Sequence, residues 1–549
     1  MLPYFALTLL ILLIFFRPFY SGLVYLYSDL PSNQYYLLVF SLLPPLFISK
    51  SSKIWRLSRV SKEEWLWIGF IIWSGIGLLW SVNRHSTLIQ LELVLTYFYI
   101  YFLVKRVSPA FRNIVIWAII IPSIWVSLYG IYQYFWGLEE TRKFVEMMGR
   151  TNFSPDFLTR LYTNRAFSTF VYPNAFAGYL IVLIPFTLAF FFKMKRPLRY
   201  LYLLIVFLQV FGLILTKSKG GILSLVLSGL LLIYLLLPRK WKISSTLAVL
   251  LLAILLFSFP LVKKSAKDSF GVRISYWKSA LRMAKVRPLT GFGPGCFGRV
   301  FPRFKEAGRE DTKMAHNNYL QIFSEGGIIY LLLFLSFFYF SLKNLHLGKD
   351  KILIMGIQTG VTAFLIHSLV DFDFYVPGIT LLLFSIISLG IEPSTSEKNT
   401  FSKPYLYSFL ILIPLILFTT LRIIRADVFY KENLYALKKG NIERAVSFLK
   451  KSIRIYPWGE DTYKINYHFH LGELYLREDE EIDKAIVEFH YATKLDPYRF
   501  FYWEKLALLY ALKKDYENAL NYINHALYCY PSHPRLKKER EEILKEINE

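Results

Sequence analysis

Apolar runs long enough to cross a lipid bilayer dominate most of this chain. A spanning helix needs about 17–25 predominantly apolar residues, and thirteen runs of about this length precede residue 422. They lie at about residues 3–28, 34–49, 65–81, 88–104, 114–135, 174–192, 199–216, 220–237, 243–260, 319–342, 352–370, 376–391 and 405–421. The whole chain is 55% hydrophobic, with a mean hydropathy of +0.38, which is more apolar than a soluble protein of its length. The sequence therefore predicts an all-α fold, a polytopic membrane helix bundle of about 12–13 spans.

Basic residues are distributed unequally among the loops between these runs. With a cytoplasmic N-terminus the even-numbered loops are cytoplasmic, and these loops carry the clusters of Lys and Arg. Short odd-numbered loops carry few of them, namely Arg84 alone in "SVNRHST", and Lys217 and Lys219 in "TKSKGG". The long odd-numbered loops, about 136–173 and 261–318, do contain basic residues, but long loops translocate largely regardless of charge. The pattern predicts that both long loops are extracytoplasmic, and it accounts for the net charge of +25 without any nucleic-acid partner.

From about residue 422 the chain becomes charged and helical, and its sequence repeats. The aligned segments are "NIERAVSFLKKSIRIYP", "EIDKAIVEFHYATKLDP" and "DYENALNYINHALYCYP", whose shared alanines at 445, 485 and 519 are 40 and 34 residues apart. The second interval is the tetratricopeptide period, and the first implies an insertion near "GEDTYK". We expect a membrane domain at 1–421, with a large extracytoplasmic loop at about 261–318. At 422–549 we expect a C-terminal α-solenoid of about three tetratricopeptide repeats.

Polar side chains stand at the outer end of the tenth predicted span, in "AHNNYLQIFSEGG". His316 comes first, and the spacing predicts that Asn317, Gln321 and Ser324 share one face of a helix, with Glu325 beside them. Taken alone, the asparagines are explained as helix caps and His316 as a residue of the membrane interface. Polar residues within a membrane normally face a bundle interior or a water-filled cavity. The other polar residues at the same surface therefore decide between a structural and a functional interpretation.

Four further groups of polar residues are predicted to lie at the same outer surface. They are Arg165 before the sixth span, Lys217 and Lys219 beside two glycines in "TKSKGG", Arg273 in a segment predicted to form an amphipathic helix on the outer leaflet, and His367 with Asp371 on one helix face. Each has an ordinary structural explanation, such as an arginine that reaches lipid phosphates. Together they predict a cationic, glycine-flanked cavity with one well-placed histidine. No Cys, His or carboxylate spacing indicates a metal site, so neither a metal nor a cofactor is expected.

A cationic cavity with a histidine suits one kind of chemistry in particular. Arginine and lysine can neutralise a pyrophosphate leaving group in place of a metal ion. A histidine has a suitable pKa to act as general base on an acceptor hydroxyl that attacks a sugar. A substrate on a lipid carrier would enter sideways from the outer leaflet.

Five motifs, taken in order, resemble the bacterial O-antigen ligase and O-antigen polymerase family. They are "STFVYPN" after Arg165, "SKGG", "RISYWKSALRM" with "RPLTGFGPGCF", "AHNNYLQIFSEGG" and "HSLVDFDFYVPG", and the similarity spans about residues 60–390. The resemblance implies a metal-independent, inverting glycosyltransferase that moves a glycan from undecaprenyl diphosphate to an acceptor hydroxyl. Family members do so at the outer face of the bacterial inner membrane, and some carry a tetratricopeptide tail.

The resemblance also implies roles for particular residues. His316 is expected to be the catalytic base, Arg273 the main pyrophosphate ligand and Arg165 a donor-site residue. Lys219 stands where the family often has arginine, so it keeps the charge but loses bidentate geometry. Asn317, His367 and Asp371 complete the predicted substrate-binding set.

Several alternatives remain open at the level of sequence. The acceptor is lipid A-core, another glycan repeat unit or a protein side chain, and the repeats suit either a protein partner or docking to other assembly proteins. A flippase or transporter of lipid-linked glycans would share the spans and the cationic cavity, but it would need charged residues on both sides of the bundle. An anchored binding solenoid would leave the polar stripe at 317–325 unexplained. The expected location is the bacterial inner (cytoplasmic) membrane, crossed many times, with the active site and the repeats extracytoplasmic.

Overall fold

The computed structural model describes residues 1–19, 53–55, 60–150, 153, 155–170, 172–236, 238, 260–345, 350–391, 403–461, 464–477 and 481–549. Within these ranges every regular element is a helix, which confirms the predicted all-α class. The helices of the N-terminal part are α1 (Leu2–Phe16), α2 (Lys62–Ile76), α3 (Arg84–Arg106), α4 (Pro109–Tyr132), α5 (Leu138–Met148), α6 (Pro155–Tyr162), α7 (Pro173–Lys193), α8 (Leu198–Leu215), α9 (Lys219–Leu236), α10 (Pro260–Val286), α11 (Phe297–Phe304), α12 (Asn318–Leu345), α13 (Lys351–His367) and α14 (Pro377–Gly390). The C-terminal helices are α15 (Lys403–Lys438), α16 (Ile442–Ile455), α17 (Tyr467–Tyr475), α18 (Ile482–Leu495), α19 (Phe500–Leu512), α20 (Tyr516–Cys529) and α21 (Pro534–Asn548).

Seven stretches of helix in the described residues are long and apolar enough to cross a membrane. They contain α1, α3, α4 with α5, α7, α8, α9 and α12, while α13 and α14 are shorter apolar helices. The predicted span at 34–49 and nearly all of the one at 243–260 lie outside the described residues. The span at 405–421 falls within α15, whose side chains are described from residue 418. The chain is therefore a multi-pass membrane protein, and the count of 12–13 spans stays a prediction.

Small residues allow the central helices to pack closely. Helix α13 lies against α7, and Gly356 and Gly360 of α13 meet the backbone carbonyls of Pro185 and Val182. A Cβ atom at Gly356 would lie 2.6 Å from the carbonyl oxygen of Pro185, so only glycine permits this approach. Around this pair, α14 packs against α3 and α12 packs against α2. Close packing of small residues is a common way for helices to associate in membranes.

One end of the bundle carries a buried ion-pair network. Lys105 donates to Glu63 at 2.7 Å, and Arg106 donates to Glu64 at 2.5 Å. Asn344 from the far end of α12 also donates to Glu63 at 2.7 Å. The loop-charge pattern predicts that this end is cytoplasmic, and the polar residues predicted to face outward lie at the opposite end of α12.

The C-terminal helices form three antiparallel pairs followed by a single helix. The pairs are α15 with α16, α17 with α18 and α19 with α20, and α21 packs against the last of them. The repeated alanines 445, 485 and 519 are all fully buried, each on the second helix of its pair, as expected for equivalent positions in a repeat. Helix α15 continues without interruption across the predicted domain boundary at 421/422.

Candidate functional site

The predicted polar stripe at the start of α12 is only partly helical. Asn317 precedes the helix, and its Oδ1 accepts from the backbone N–H of Leu320 at 3.0 Å, as a helix cap does. Its Nδ2 donates to the carbonyl of Leu369 at 2.9 Å. The prediction that Asn317 shares a helix face with Gln321 and Ser324 is therefore wrong, because the side chain satisfies a free donor of the first turn instead. Asn317 ties α12 to the end of α13.

His316 is held in an uncommon backbone conformation beside this cap. Its φ of 49° lies in the left-handed region, which few non-glycine residues adopt. The carbonyl of His316 accepts from Trp277 Nε1 at 3.2 Å. The imidazole lies 6.0 Å from the ring of Tyr276 and 4.8 Å from that of Phe372, measured between centroids. Contacts from α10 and from the loop after α13 thus fix the ring, whose side chain remains 28% exposed.

Asp371 lies between His316 and Arg273. His316 Nδ1 is 3.7 Å from Asp371 Oδ1, and Arg273 Nη2 is 3.7 Å from Asp371 Oδ2. Both distances exceed a direct hydrogen bond, and His316 Nδ1 and Asp371 Oδ2 are buried without a hydrogen-bond partner. Burial alone would raise the pKa of Asp371, but the neighbouring imidazole and the charge of Arg273 hold that pKa well below its usual range. The carboxylate is therefore negatively charged, and we call these three residues the outer cluster.

Arg165 belongs to the same surface. Its Nε donates to the carbonyl of Thr216 at 2.7 Å and its Nη2 donates to Asn174 Oδ1 at 2.8 Å, so the loop before α7 is joined to the end of α8. Burial lowers the pKa of Arg165, Asp371 opposes that shift and Arg273 adds to it. Arg165, Asp371 and Arg273 are thus close enough to act on one another electrostatically.

His367 and Asp371 do not form the pair that their spacing predicts. Helix α13 ends at His367, and the chain turns at Ser368, so residue 371 no longer follows the helix face. His367 Nδ1 instead contacts Asp373 Oδ2 at 2.5 Å, and both side chains are 1% exposed. Gly178 of α7 lies against this pair, since a Cβ atom there would be 2.6 Å from Asp373. The pairing of His367 with Asp371 is therefore corrected to His367 with Asp373.

Lys219 is the first residue of α9 and its side chain is exposed. The two glycines after it allow the close approach that the sequence predicts. A Cβ atom at Gly221 would lie 2.8 Å from that of Ala177, and one at Gly220 would lie 3.4 Å from the His367 ring. The start of α9 is thus packed against the helices that carry the outer residues.

Glu325 has a structural role that sequence reasoning did not foresee. Its carboxylate accepts from the backbone N–H of Gly295 at 2.9 Å, from that of Phe297 at 3.2 Å and from the hydroxyl of Tyr375 at 2.9 Å. Two residues later, Gly327 interrupts α12 with a φ of 76°, and the carbonyl of Leu289 occupies the position of any Cβ atom there. The loop before α11 is therefore attached to the outer turns of α12. A glutamate within an apolar run was the available signal.

Helix α10 has the amphipathic character that its sequence predicts. Its buried residues Tyr276, Ala280, Met283 and Ala284 recur at helical spacing and face α11 and α12, while Leu281 is exposed on the other side. In the described part of the chain, no group of three or more His, Cys, Asp or Glu side chains could hold a metal ion.

These features define a class: a multi-pass helical membrane protein whose bundle carries a cationic, histidine-containing cluster at one end. Residues 204–335 match the family model described as O-antigen ligase. This part of the chain is therefore an O-antigen ligase-type domain, as the motifs indicate, and the match supports a ligase- or polymerase-type membrane glycan transferase. The matched residues include Lys219, Arg273, His316 and Asn317, and they stop before Asp371.

The solved structures similar to this chain are tetratricopeptide domains that cover only a small part of it. No curated protein matches the chain. Among solved structures, the first tetratricopeptide domain of Spaghetti (RPAP3), bound to an HSP90 peptide, is 15% identical, with 23% of this chain and 96% of that chain covered and a TM-score of 0.20. The Arabidopsis OM64 tetratricopeptide domain is 17% identical, with 23% and 98% covered and a TM-score of 0.20.

Proposed function

We propose that this protein transfers a glycan from undecaprenyl diphosphate to an acceptor hydroxyl at the outer face of a bacterial inner membrane, with inversion at the anomeric carbon and without a metal ion. The observation that carries the proposal is the outer cluster, in which Asp371 lies 3.7 Å from both His316 and Arg273. The O-antigen ligase family model covers two of these three residues.

In this reaction His316 acts as the general base. Its Nδ1 faces Asp371, which leaves Nε2 to take the proton from the acceptor hydroxyl. The hydroxyl oxygen attacks the anomeric carbon while the bond from that carbon to the diphosphate oxygen breaks. Asp371 stabilises the imidazolium that forms, the role that a buried carboxylate commonly has beside a catalytic histidine. Proton transfer by a positioned side chain contributes about 10²–10⁴-fold to rate.

The cationic residues act on the leaving group. Arg273 lies 3.7 Å from Asp371 and its side chain is 20% exposed. It can therefore bind a diphosphate while it stays beside Asp371. Arg165 on the loop before α7 and Lys219 at the start of α9 are the other two cations of the proposed donor site. Undecaprenyl diphosphate departs with the bonding electron pair, and these cations stabilise its added negative charge. Asn317 caps α12 and bonds the end of α13, which positions the neighbouring His316. The contact of His367 with Asp373 stabilises the end of α13.

The direct test incubates the purified protein with a lipid-diphosphate oligosaccharide and candidate acceptors, in buffer containing a metal chelator. We expect a glycosylated acceptor of inverted anomeric configuration, identified by mass spectrometry and NMR. Lipid A-core, a second repeat unit and a protein are the three acceptors to compare, and the products distinguish ligase, polymerase and protein glycosyltransferase activities. Complete absence of product with all three acceptors would contradict the proposal.

A lipid-linked glycan flippase is the rival from another class. It would move the same donor across a vesicle membrane without forming a new glycosidic bond. The concentration of His316, Arg273 and Asp371 at one end of the bundle favours a transferase, since a flippase needs binding groups that are reachable from both sides. Transport of a labelled donor by a His316→Ala variant at the wild-type rate would favour the flippase.

A further inference from the structure

A buried group of charges joins the extracytoplasmic loop to the C-terminal repeats, away from the outer cluster. Its centre is Arg299 of α11, whose side chain is 3% exposed. The guanidinium donates to the carboxylates of Glu460 and Asp496, and its Nε donates to Ser86 Oγ at 2.9 Å. Glu460 also accepts from Asn83 Nδ2 at 2.8 Å. We call Arg299, Glu460, Asp496, Asn83 and Ser86 the Arg299 cluster.

The charges of this cluster depend on one another. Burial alone would lower the pKa of Arg299, but Asp496 and Glu460 raise it above its ordinary value. Burial alone would raise the pKa of Glu460, and Arg299 lowers it. Removal of Arg299 would therefore leave Glu460 and Asp496 buried without their cationic partner. The loop, the start of α3 and the repeats are thus bound together at one point.

The insertion in the repeats supplies one of these carboxylates. Glu460 belongs to "GEDTYK", the segment that lengthens the first repeat interval to 40 residues against 34 in the second. A stack of helical pairs needs no such residues. The inserted residues instead bring Glu460 to α11, where it pairs with Arg299.

A second row of contacts extends along the same face of α11. Arg303, one turn after Arg299, places its guanidinium 3.6 Å from the ring centroid of Tyr528 and donates to the Tyr498 hydroxyl at 3.1 Å. Lys305 lies 4.4 Å from the ring centroid of Tyr530. The repeats therefore contact α11 at Arg299 and Arg303, and the chain just after it at Lys305.

The opposite side of α11 leads to the proposed catalytic base. Phe301 is fully buried, and its ring lies 5.7 Å from that of Tyr276 on α10. Tyr276 in turn stacks on the His316 imidazole at 6.0 Å. Helix α11 thus lies between the repeats and the residues that orient His316.

We propose that the C-terminal repeats are a positioning element of the transfer site and that Arg299 is its main positioning residue. Arg299 fixes α11 against the repeats and the start of α3. The contact of Phe301 with Tyr276 then passes this position to the imidazole of His316. The inference depends on the proposed transfer activity for its kinetic readout. It identifies an interface within the chain on which the geometry of the base depends.

The kinetic test compares Arg299→Met, Arg299→Lys and the matched control Arg309→Met in the full chain. Arg309 lies on the same loop, but its side chain is 50% exposed. We expect Arg299→Met to lower kcat at least about tenfold, because small misplacement of a reacting group is costly. The KM for the lipid-diphosphate donor should stay within about twofold, Arg299→Lys should recover part of kcat, and Arg309→Met should match the wild type. Unchanged kcat in Arg299→Met, or a raised donor KM alone, overturns the proposal.

A second measurement does not require activity. Diethyl pyrocarbonate modifies exposed imidazoles, and mass spectrometry reports the rate at His316. We expect modification several-fold faster in Arg299→Met than in the wild type or Arg309→Met, and equal rates overturn the positioning role. Where Arg299→Met does not fold, Glu460→Gln removes one partner at almost constant volume and takes its place in both measurements. Wild-type protein that transfers nothing contradicts the proposed function alone, since the modification rates still decide the role of Arg299.

Discussion

Each end of the helix bundle brings acidic and basic side chains together, but the distances between them differ. At the predicted inner end, Lys105 donates to Glu63 at 2.7 Å, and neither side chain is more than 2% exposed. At the outer end, Asp371 lies 3.7 Å from both His316 and Arg273, whose side chains are 28% and 20% exposed. Acidic and basic side chains thus form direct ion pairs at one end and a looser, partly exposed cluster at the other.

The difference separates stabilisation from reactivity. In the inner network the carboxylate of Glu63 accepts direct hydrogen bonds from Lys105 and Asn344, so it is already paired within the protein. In the outer cluster, His316 Nδ1 and Asp371 Oδ2 are buried without a hydrogen-bond partner. Buried polar atoms left in this way cost free energy, and in native proteins they often mark functional sites. Mutations at the two ends should therefore affect different quantities, activity at one and stability at the other.

The largest effect is expected from His316→Ala. Loss of a general base should lower the transfer rate about 10²–10⁴-fold while expression and thermal unfolding stay near those of the wild type. The measurement is product formation by the purified protein, and His525→Ala, an exposed histidine of the repeats, is the control. Normal transfer by His316→Ala would exclude this residue as the base.

The reverse behaviour is expected from Arg106→Met at the inner end. This change leaves Glu64 buried without its partner, so the free energy of unfolding should fall by about 3–5 kcal/mol. Activity per folded molecule should change little, because the network lies far from the outer cluster. Arg150→Met removes a surface pair with Glu146, 60% and 54% exposed, and should cost at most about 1 kcal/mol. Equal losses in the two variants, measured by chemical denaturation in detergent, would contradict the contrast.

A smaller effect is expected from Arg273→Ala. The variant should fold normally and use the lipid-diphosphate donor less well, with kcat/KM reduced about tenfold or more, since one charged contact to the leaving group is lost. Arg282→Ala on the same helix, whose side chain is 50% exposed, should behave as the wild type. Wild-type donor kinetics in Arg273→Ala would exclude it as a diphosphate ligand.

The smallest effect is expected when the pH is lowered, because Asp371 should then change the free energy of unfolding very little. Folding holds its pKa well below the usual range, so its contribution to stability is fully present above the ordinary value of about 3.9 and is lost only as the pH falls further. The difference in unfolding free energy between the wild type and Asp371→Asn should thus not shrink from pH 8 to about pH 5, because Asp371 stays ionised there. A difference that shrinks within this range would show that the carboxylate takes up a proton there.

Much of the architecture could be predicted from local patterns. Apolar runs predicted the helical class, and the repeat put alanines 445, 485 and 519 at equivalent positions, all of which the structure buries. Alternation of basic loops placed His316 and Arg273 at one surface, and the structure brings them to the same carboxylate, because successive spans end on alternate sides. These are properties of single helices and of their order along the chain.

Other features depend on where a helix stops or on distant partners. The spacing of His367 and Asp371 predicted a pair only if the helix continued, and it ends at His367. Arg299 gave no signal, since its partners Glu460 and Asp496 lie 161 and 197 residues later in the chain. Neither the end of a helix nor a contact across such a separation is encoded in a short window of sequence.

The break at Gly327 also determines how deep the polar residues before it can lie. Beyond it, Ile328 to Leu345 are eighteen residues, which at 1.5 Å each form about 27 Å of continuous helix. This length is close to the roughly 30 Å thickness of the hydrocarbon layer. The outer turns, from Asn318 to Gly326, are hydrogen-bonded to the loop before α11. We expect these turns to extend past the hydrocarbon layer into the headgroup region, which would leave His316 at the water interface while its helix crosses the lipid.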